Sequence, residues 1–193
     1  MTVFDQVLQE VDQQCREQHI PMLGSEKAEF LADLVQKAGP NLIVECGTAI
    51  GYSGLWMVAE LQSADRGRLI TVEIDTGRAH EAQENFRRAK VQDLIDSRIG
   101  DATEELKTIR EPVDFLLLDN NYSNYLPCFR AIESRLVDGT TIVADNVGIG
   151  AAGMADYLNH VRSHYESRTH WFETDLPWVK RDAMEVTIYR KSR

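Results

Sequence analysis

Apolar residues along the chain change their period near residue 41, and the change separates two kinds of element. Phe4, Val7, Leu8 and Val11 recur at helical spacing, as do Phe30, Leu31, Leu34 and Val35 behind Ser25, a residue suited to capping a helix. Two amphipathic helices are therefore predicted before the first strand. From Asn41 the apolar positions gather into short runs: Leu42-Ile43-Val44, Leu69-Ile70-Thr71-Val72, Val113 to Leu118, and Thr140 to Ala144. Such runs predict strands buried on both faces. Helix-compatible stretches lie between them, near Ser53 to Leu61, Thr76 to Ala89, Ala102 to Ile109 and Tyr125 to Leu136, with Pro127 tolerated only in a first turn. Strand and helix in alternation predict an α/β fold, a Rossmann-like doubly wound sheet with helices on both faces. A further helix is predicted near Ala151 to Ser167. The tail then offers Arg168 to Glu173 and Met184 to Tyr189 with too few residues between them for a helical crossover, so this pair is read as antiparallel.

No repeat or linker interrupts the 193 residues, of which 43% are hydrophobic, enough for one good core and too few for two ordinary domains. One domain over residues 1–193 is expected. No apolar stretch approaches the roughly 20 residues that span a bilayer. Met1 to Glu10 carries acids where a secretory leader would be basic, so a cytoplasmic protein without a membrane partner is expected. The formal net charge of -10 repels phosphate backbones, and no basic run interleaves with aromatics. That disfavours nucleic acid and leaves a neutral or cationic small molecule. Cys15, Cys46 and Cys128 are an odd count without CxxC spacing, which argues for reduced thiols.

An open parallel sheet binds ligands beyond the carboxyl ends of its strands, near the point where strand order reverses. Four such ends carry chemistry here. In Val44-Glu45-Cys46-Gly47-Thr48-Ala49-Ile50-Gly51-Tyr52-Ser53 the glycines let backbone approach a ligand, and the following helix start offers free N–H groups; the alternative is a tight turn with no ligand. Val72-Glu73-Ile74-Asp75 places a carboxylate where it can accept both hydroxyl protons of a ribose, or stand solvated before a Thr76 cap. Gly47 and Gly51 do not fit GxGxxG, so a dinucleotide is the weaker match. Leu118-Asp119-Asn120-Asn121 and Ala144-Asp145-Asn146 each follow an apolar strand. Two carboxylates and an amide oxygen suit a hard divalent cation with open positions for substrate and water; the alternative is that these residues only cap strands and begin turns.

Together these segments resemble the catechol and caffeoyl-CoA type O-methyltransferases, the Mg²⁺-dependent branch of the class I S-adenosylmethionine-dependent fold. The resemblance runs from about His19 to Tyr189 and is strongest in Val44 to Gly47 with Gly51-Tyr52-Ser53, in Leu69 to Ile74, in Asp119 with Asn124-Tyr125-Leu126-Pro127, and in Val143 to Val147. It implies a seven-stranded sheet of order 3-2-1-4-5-7-6 with strand 7 antiparallel, and residues 1–40 as a helical cap over the cofactor site of a 41–193 sheet core. S-adenosylmethionine would be held by Leu23, Glu45, Gly47, Ala49, Gly51, Ser53, Glu73, Ile74, Asp101, Ala102, Thr103, Asp119 and Asn120. Within that set Gly47 and Ser53 serve its methionine part, Glu73 its ribose, and Ala102 and Thr103 its adenine. The metal ligands implied are Asp119, Asp145 and Asn146, for Mg²⁺ or another divalent cation.

Where the family carries a general-base lysine, three residues after its first metal aspartate, this chain has Tyr122, a poorer base at an ordinary pKa of about 10. Asn121 replaces an aromatic that flanks catechol in animal members. No acid aligns with the glutamate near the second substrate hydroxyl, Asp175 and Pro177 falling nearby. By analogy the acceptor walls come from Pro21-Met22-Leu23 and Leu176-Pro177-Trp178, with Met22 and Trp178 able to sandwich a ring, or simply covering core or an interface. Asp119, Tyr122 and Asp145 are the catalytic candidates, acting on a small hydroxylated substrate. A methyltransferase of another acceptor or without metal, and a binding protein that has lost turnover, stay open. Family members occur as monomers and homodimers. His160 and His164 share a helix face without a metal motif, and Cys46 is read as packing.

Overall fold

A computed structural model describes residues 1–191. Helices α1 (Val3–Gln18) and α2 (Ser25–Ala38) lead into β1 (Leu42–Cys46), α3 (Tyr52–Ser63), β2 (Arg68–Glu73), α4 (Thr76–Arg88), β3 (Ile95–Ile99), α5 (Ala102–Glu105) and β4 (Val113–Leu118). Then follow α6 (Tyr125–Ile132), β5 (Leu136–Ala144), α7 (Ala155–His164), β6 (Glu166–Glu173) and β7 (Arg181–Ile188). All seven strands form one sheet in the order β3-β2-β1-β4-β5-β7-β6, with β7 antiparallel to both neighbours.

The apolar runs work because successive side chains of a strand point to opposite faces. Ile43, Leu69, Phe115, Leu117, Val143 and Met184 pack with α1 to α4, through Val11, Leu31, Leu55 and Phe86. Their neighbours Val44, Ile70, Leu116, Leu118 and Ile142 pack with α5 to α7, through Phe129, Tyr157 and Val161. Helix thus covers both faces, and Glu73, Asp119 and Asp145 stand at the carboxyl tips of β2, β4 and β5. The sheet order reverses between β1 and β4, which opens a crevice at those tips.

Several elements differ from the prediction read off the sequence: Asp75 and not Thr76 caps α4, α5 gives way to a 3-10 turn after Glu105, and α7 is shorter at both ends than Ala151 to Ser167, with Glu166 and Ser167 already in β6. Strand β3, Ile95-Asp96-Ser97-Arg98-Ile99, has no apolar run, because it lies at the sheet edge, pairs only with β2 and has no fully buried residue. Ser25 is the first residue of α2 and not its cap. Gly24 takes the cap position at φ 78°, and Asp175 from a distant loop accepts the Ser25 N–H at 3.2 Å and its hydroxyl at 2.9 Å. Helix α6 stops at Ile132, since a short 3-10 turn over Glu133–Arg135 delivers Leu136 to pair with Val113. Cys15, Cys46 and Cys128 are buried free thiols. His160 and His164 stack on one another with centroids 4.5 Å apart, beside Arg130. Among the described residues no helix is long and apolar enough to cross a membrane.

Candidate active site

The crevice has a volume of about 810 Å³ and is lined from the tips of β1, β2, β4 and β5, the α5 start, and the loops around Met22 and Trp178. Its centre is the turn after β1. Gly47 sits at φ 99°, a left-handed conformation that favours glycine, and a Cβ there would lie 2.2 Å from the Asp119 carbonyl oxygen. Ala49 is also left-handed, at φ 45°, and its N–H donates to Glu73 Oε2 at 2.8 Å. Glu73 Oε1 accepts from Asp75 N–H at 2.9 Å, so the carboxylate is aimed by two backbone donors and keeps further lone pairs free. Asp101 caps α5 by accepting from both the N–H and the hydroxyl of Thr103 at 2.8 Å.

Not every candidate faces the opening. Gly47, Ala49, Glu73, Ile74, Asp101, Ala102, Asp119, Asn120, Tyr122, Asp145, Asn146, Met22 and Trp178 line the crevice. Leu23, Glu45, Gly51, Ser53 and Thr103 stand outside that lining. Glu45 is fully buried beneath the turn, accepting from Thr71 Oγ1 at 2.6 Å and from the Ser53 hydroxyl. Gly51 caps α3 at φ 96°, with Phe86 so close that a Cβ would lie 2.7 Å from its ring.

Two side chains missed in the sequence complete the floor. Lys27 is only 2% exposed, and its Nζ donates to Asp145 Oδ1 at 2.7 Å, Asp145 Oδ2 at 2.8 Å and Asp182 Oδ2 at 2.8 Å. The signal was there: Lys27, Leu31 and Val35 are four apart, so the lysine shares the buried face of α2. Asp182 similarly precedes Met184 by two on β7 and points to the same face.

The adjacent tips of β4 and β5 bring Asp119 and Asp145 together, Asp145 N–H continuing the ladder to Leu118 O at 3.0 Å. Burial pushes both carboxyls up, Asp119 further through the charge of Asp145. Burial also opposes the Lys27 charge, but Asp145 and Asp182 outweigh it and hold the ammonium above its ordinary pKa. Asp182, by contrast, is held low by Lys27 in spite of its burial.

Among the described residues no trio of His, Cys, Asp and Glu forms a metal cluster, so the Asn146 amide oxygen would have to be the third donor. Asn146 lies at φ 56°, strained for a non-glycine, and lines the crevice. No protein hydrogen bond contributes to the Asp119 carboxyl, and with Asp119, Asp145 and Asp182 all deprotonated the carboxylates would exceed the single Lys27 charge by two. An all-oxygen donor set with that excess charge fits a hard dication.

On the acceptor side, Trp178 stacks at a tilt on His19 with centroids 5.4 Å apart, both lining the crevice with Met22 and Leu176. Tyr122 packs edge-on to Tyr125 and against Gly150 and Gly153. Asp175 is engaged by Arg16 at 2.7 Å and by Ser25, tying α1, α2 and the β6–β7 loop together.

Against known proteins, a family described as "Methyltransferase domain" matches residues 44–147, more than half of the chain. The chain belongs to the class I S-adenosylmethionine-dependent O-methyltransferases. Among its relatives, a Mycobacterium tuberculosis protein named "Probable O-methyltransferase" is 31% identical, the alignment covering 90% of this chain and 81% of that one. Catechol O-methyltransferase B of Danio rerio is 28% identical over 95% of this chain and 71% of its own. The solved O-methyltransferase of Bacillus cereus in complex with SAH superposes with a TM-score of 0.84 at 25% identity, covering 96% of this chain and 91% of that one.

In this methyltransferase Glu45 has a testable consequence. Burial raises its carboxyl to about 7 despite the Ser53 and Thr71 hydrogen bonds. An acid that holds its proton more tightly when folded contributes stability fully below its unfolded pKa, and that contribution is lost as pH rises toward the folded value. Between about pH 4.5 and 7, up to about 3 kcal/mol is therefore lost. Urea unfolding at pH 5 and pH 7.5 should show a larger drop for the wild type than for Glu45→Gln. Equal drops would refute the assignment.

Proposed function

We propose that the methyltransferase binds S-adenosylmethionine in the crevice at the β1–β4 switch and methylates a hydroxyl of a small acceptor, with help from a divalent cation. The observation that carries this reading is the meeting of Asp119, Asp145 and Asn146 with the Gly47 turn in one crevice. The backbone at Gly47 admits close approach of the cofactor's methionine end. Glu73 accepts hydrogen bonds from the ribose hydroxyls, Ile74 (72% exposed) and Ala102 offer apolar contact to the adenine, and residues 1–40 form the cap.

Asp119, Asp145 and Asn146 would hold the cation, which when bound supplies Lewis acidity that lowers the pKa of an acceptor hydroxyl. Met22 and Trp178 flank the acceptor, and a planar ring with vicinal hydroxyls fits between them. Positioning then contributes much of the rate, since oxygen, methyl carbon and sulfur must fall in line. Tyr122 acts as wall and hydrogen-bond donor. Burial, with Asp182, Asp119 and Asp145 next in effect, pushes its phenol above the ordinary value, so it keeps its proton at neutral pH. Tyr122→Phe is accordingly expected to keep turnover within about tenfold, the value of one neutral hydrogen bond. A loss beyond a hundredfold would make Tyr122 a proton-transfer residue.

A second reading is metal-independent transfer. It is favoured by Lys27, whose ammonium already engages both oxygens of Asp145. Calorimetric titration with S-adenosylmethionine, then with Mg²⁺ and a panel of vicinal diols, tests both. The first reading expects diol binding to require Mg²⁺; diol turnover undiminished by a chelator establishes the second. Absence of S-adenosylmethionine binding ends both.

A further inference from the structure

Lys27 and Asp182 lie beneath the proposed cation ligands and between them touch two of the three, Asp145 and Asn146. Asp182 Oδ2 accepts from Lys27 Nζ at 2.8 Å and from Asn146 Nδ2 at 2.9 Å, while its Oδ1 accepts from the N–H groups of Gly148 and Ile149 at 3.2 and 3.1 Å. An ionised carboxylate only accepts, so the Asn146 carboxamide must present its NH₂ to Asp182 and turn its oxygen away. The strained Asn146 backbone is pinned from both sides, its carbonyl accepting from Gly150 N–H at 2.6 Å and Val147 N–H donating to Ala183 O at 2.9 Å. The three donor–acceptor contacts of Lys27 match the three protons of an ammonium, two on Asp145 and one on Asp182. With no proton left over, Lys27 is a clamp and not a base.

We propose that Lys27 and Asp182 are positioning residues, which orient the oxygens of Asp145 and Asn146 for a divalent cation before it binds. The inference rests on the metal-assisted reading above. Its physical basis is that partners in the outer shell fix ligand direction, and their removal lowers metal affinity by about 10- to 100-fold. The ordering is completed on folding, in a place where both carboxylates and the ammonium are almost wholly buried.

Mn²⁺ titration followed by electron paramagnetic resonance, on the wild type, Asp182→Asn and Asp182→Glu, tests it. Asparagine removes the charge and lets the amide of residue 146 pair in either direction. Glutamate keeps the counter-charge for Lys27 but displaces the acceptor by a methylene. Each variant is expected to weaken Mn²⁺ binding about 10- to 100-fold, while SAH binding by calorimetry stays within twofold, a split that general destabilisation does not produce. Unchanged Mn²⁺ affinity in a folded variant, with a wild type that binds Mn²⁺, overturns the positioning role and leaves the metal reading standing. A wild type that takes up SAH but no Mn²⁺ overturns both. Should neither variant fold, exchange of the Asn146 carboxamide protons in the wild type decides: protection supports the clamp, and free exchange overturns it.

Discussion

Lys27→Met is expected to lower folding stability by about 3–5 kcal/mol, because it strands two buried carboxylates without their cation. Asp145 and Asp182 are each about 1% exposed, and methionine has the length of the lysine stem but no proton to offer. The Coulomb attraction of the intact cluster is largely offset by the cost of taking its charges from water, so the large effect comes from breaking it and not from its net worth. Urea midpoints measure this directly. Glu29→Met on the exposed face of the same helix serves as the control, with a change expected within about 0.5 kcal/mol. Adding Asp182→Leu to Lys27→Met should recover part of the loss by removing one stranded charge. A single variant as stable as the wild type would mean that the ammonium is not where the cluster needs it.

Gly47→Ala should be comparably damaging and should also abolish cofactor binding. The left-handed backbone at φ 99° costs an alanine about 1–3 kcal/mol. In addition its Cβ would sit 2.2 Å from the Asp119 carbonyl oxygen, and 2.7 Å from the carbonyl carbon, within backbone that cannot rotate aside. Overpacking of this kind adds typically about 1–3 kcal/mol. Relief requires the tips of β1 and β4 to part, which moves Asp119 and the turn that faces the cofactor at once. Calorimetry with SAH should show no measurable heat where the wild type binds, and the urea midpoint should fall. Normal SAH binding by this variant would place the cofactor elsewhere.

Much of the fold was legible because a sheet buried on both faces leaves an unmistakable pattern. β1, β2, β4 and β5 each read as a short apolar run, and each run is followed within three residues by one that lines the crevice, Gly47, Glu73, Asp119 and Asp145. β3 was invisible as a pattern because an edge strand need not bury either face, and only the family resemblance supplied it. Asp175 falls near the position of the family's acceptor-side glutamate without aligning to it, and it is bound to Arg16 and Ser25; nothing local to Thr174-Asp175-Leu176 signals a partner 159 residues away. Tyr122 was weighed as a base. The three carboxylates that push its phenol up come from three strands, and no spacing along the chain reports their convergence.

By itself, then, the sequence determined the layered α/β architecture, the antiparallel tail and the strand tips at which chemistry had to gather. Those follow from hydrophobic period and from glycine at fixed places, which are local properties. Tertiary structure alone decided that Lys27, from a helix preceding the sheet, and Asp182, from its last strands, close the floor under Asp145 and Asn146. A buried charge is tolerable only beside its partners, and partners more than 100 residues apart are chosen by the packing of elements, not by their order.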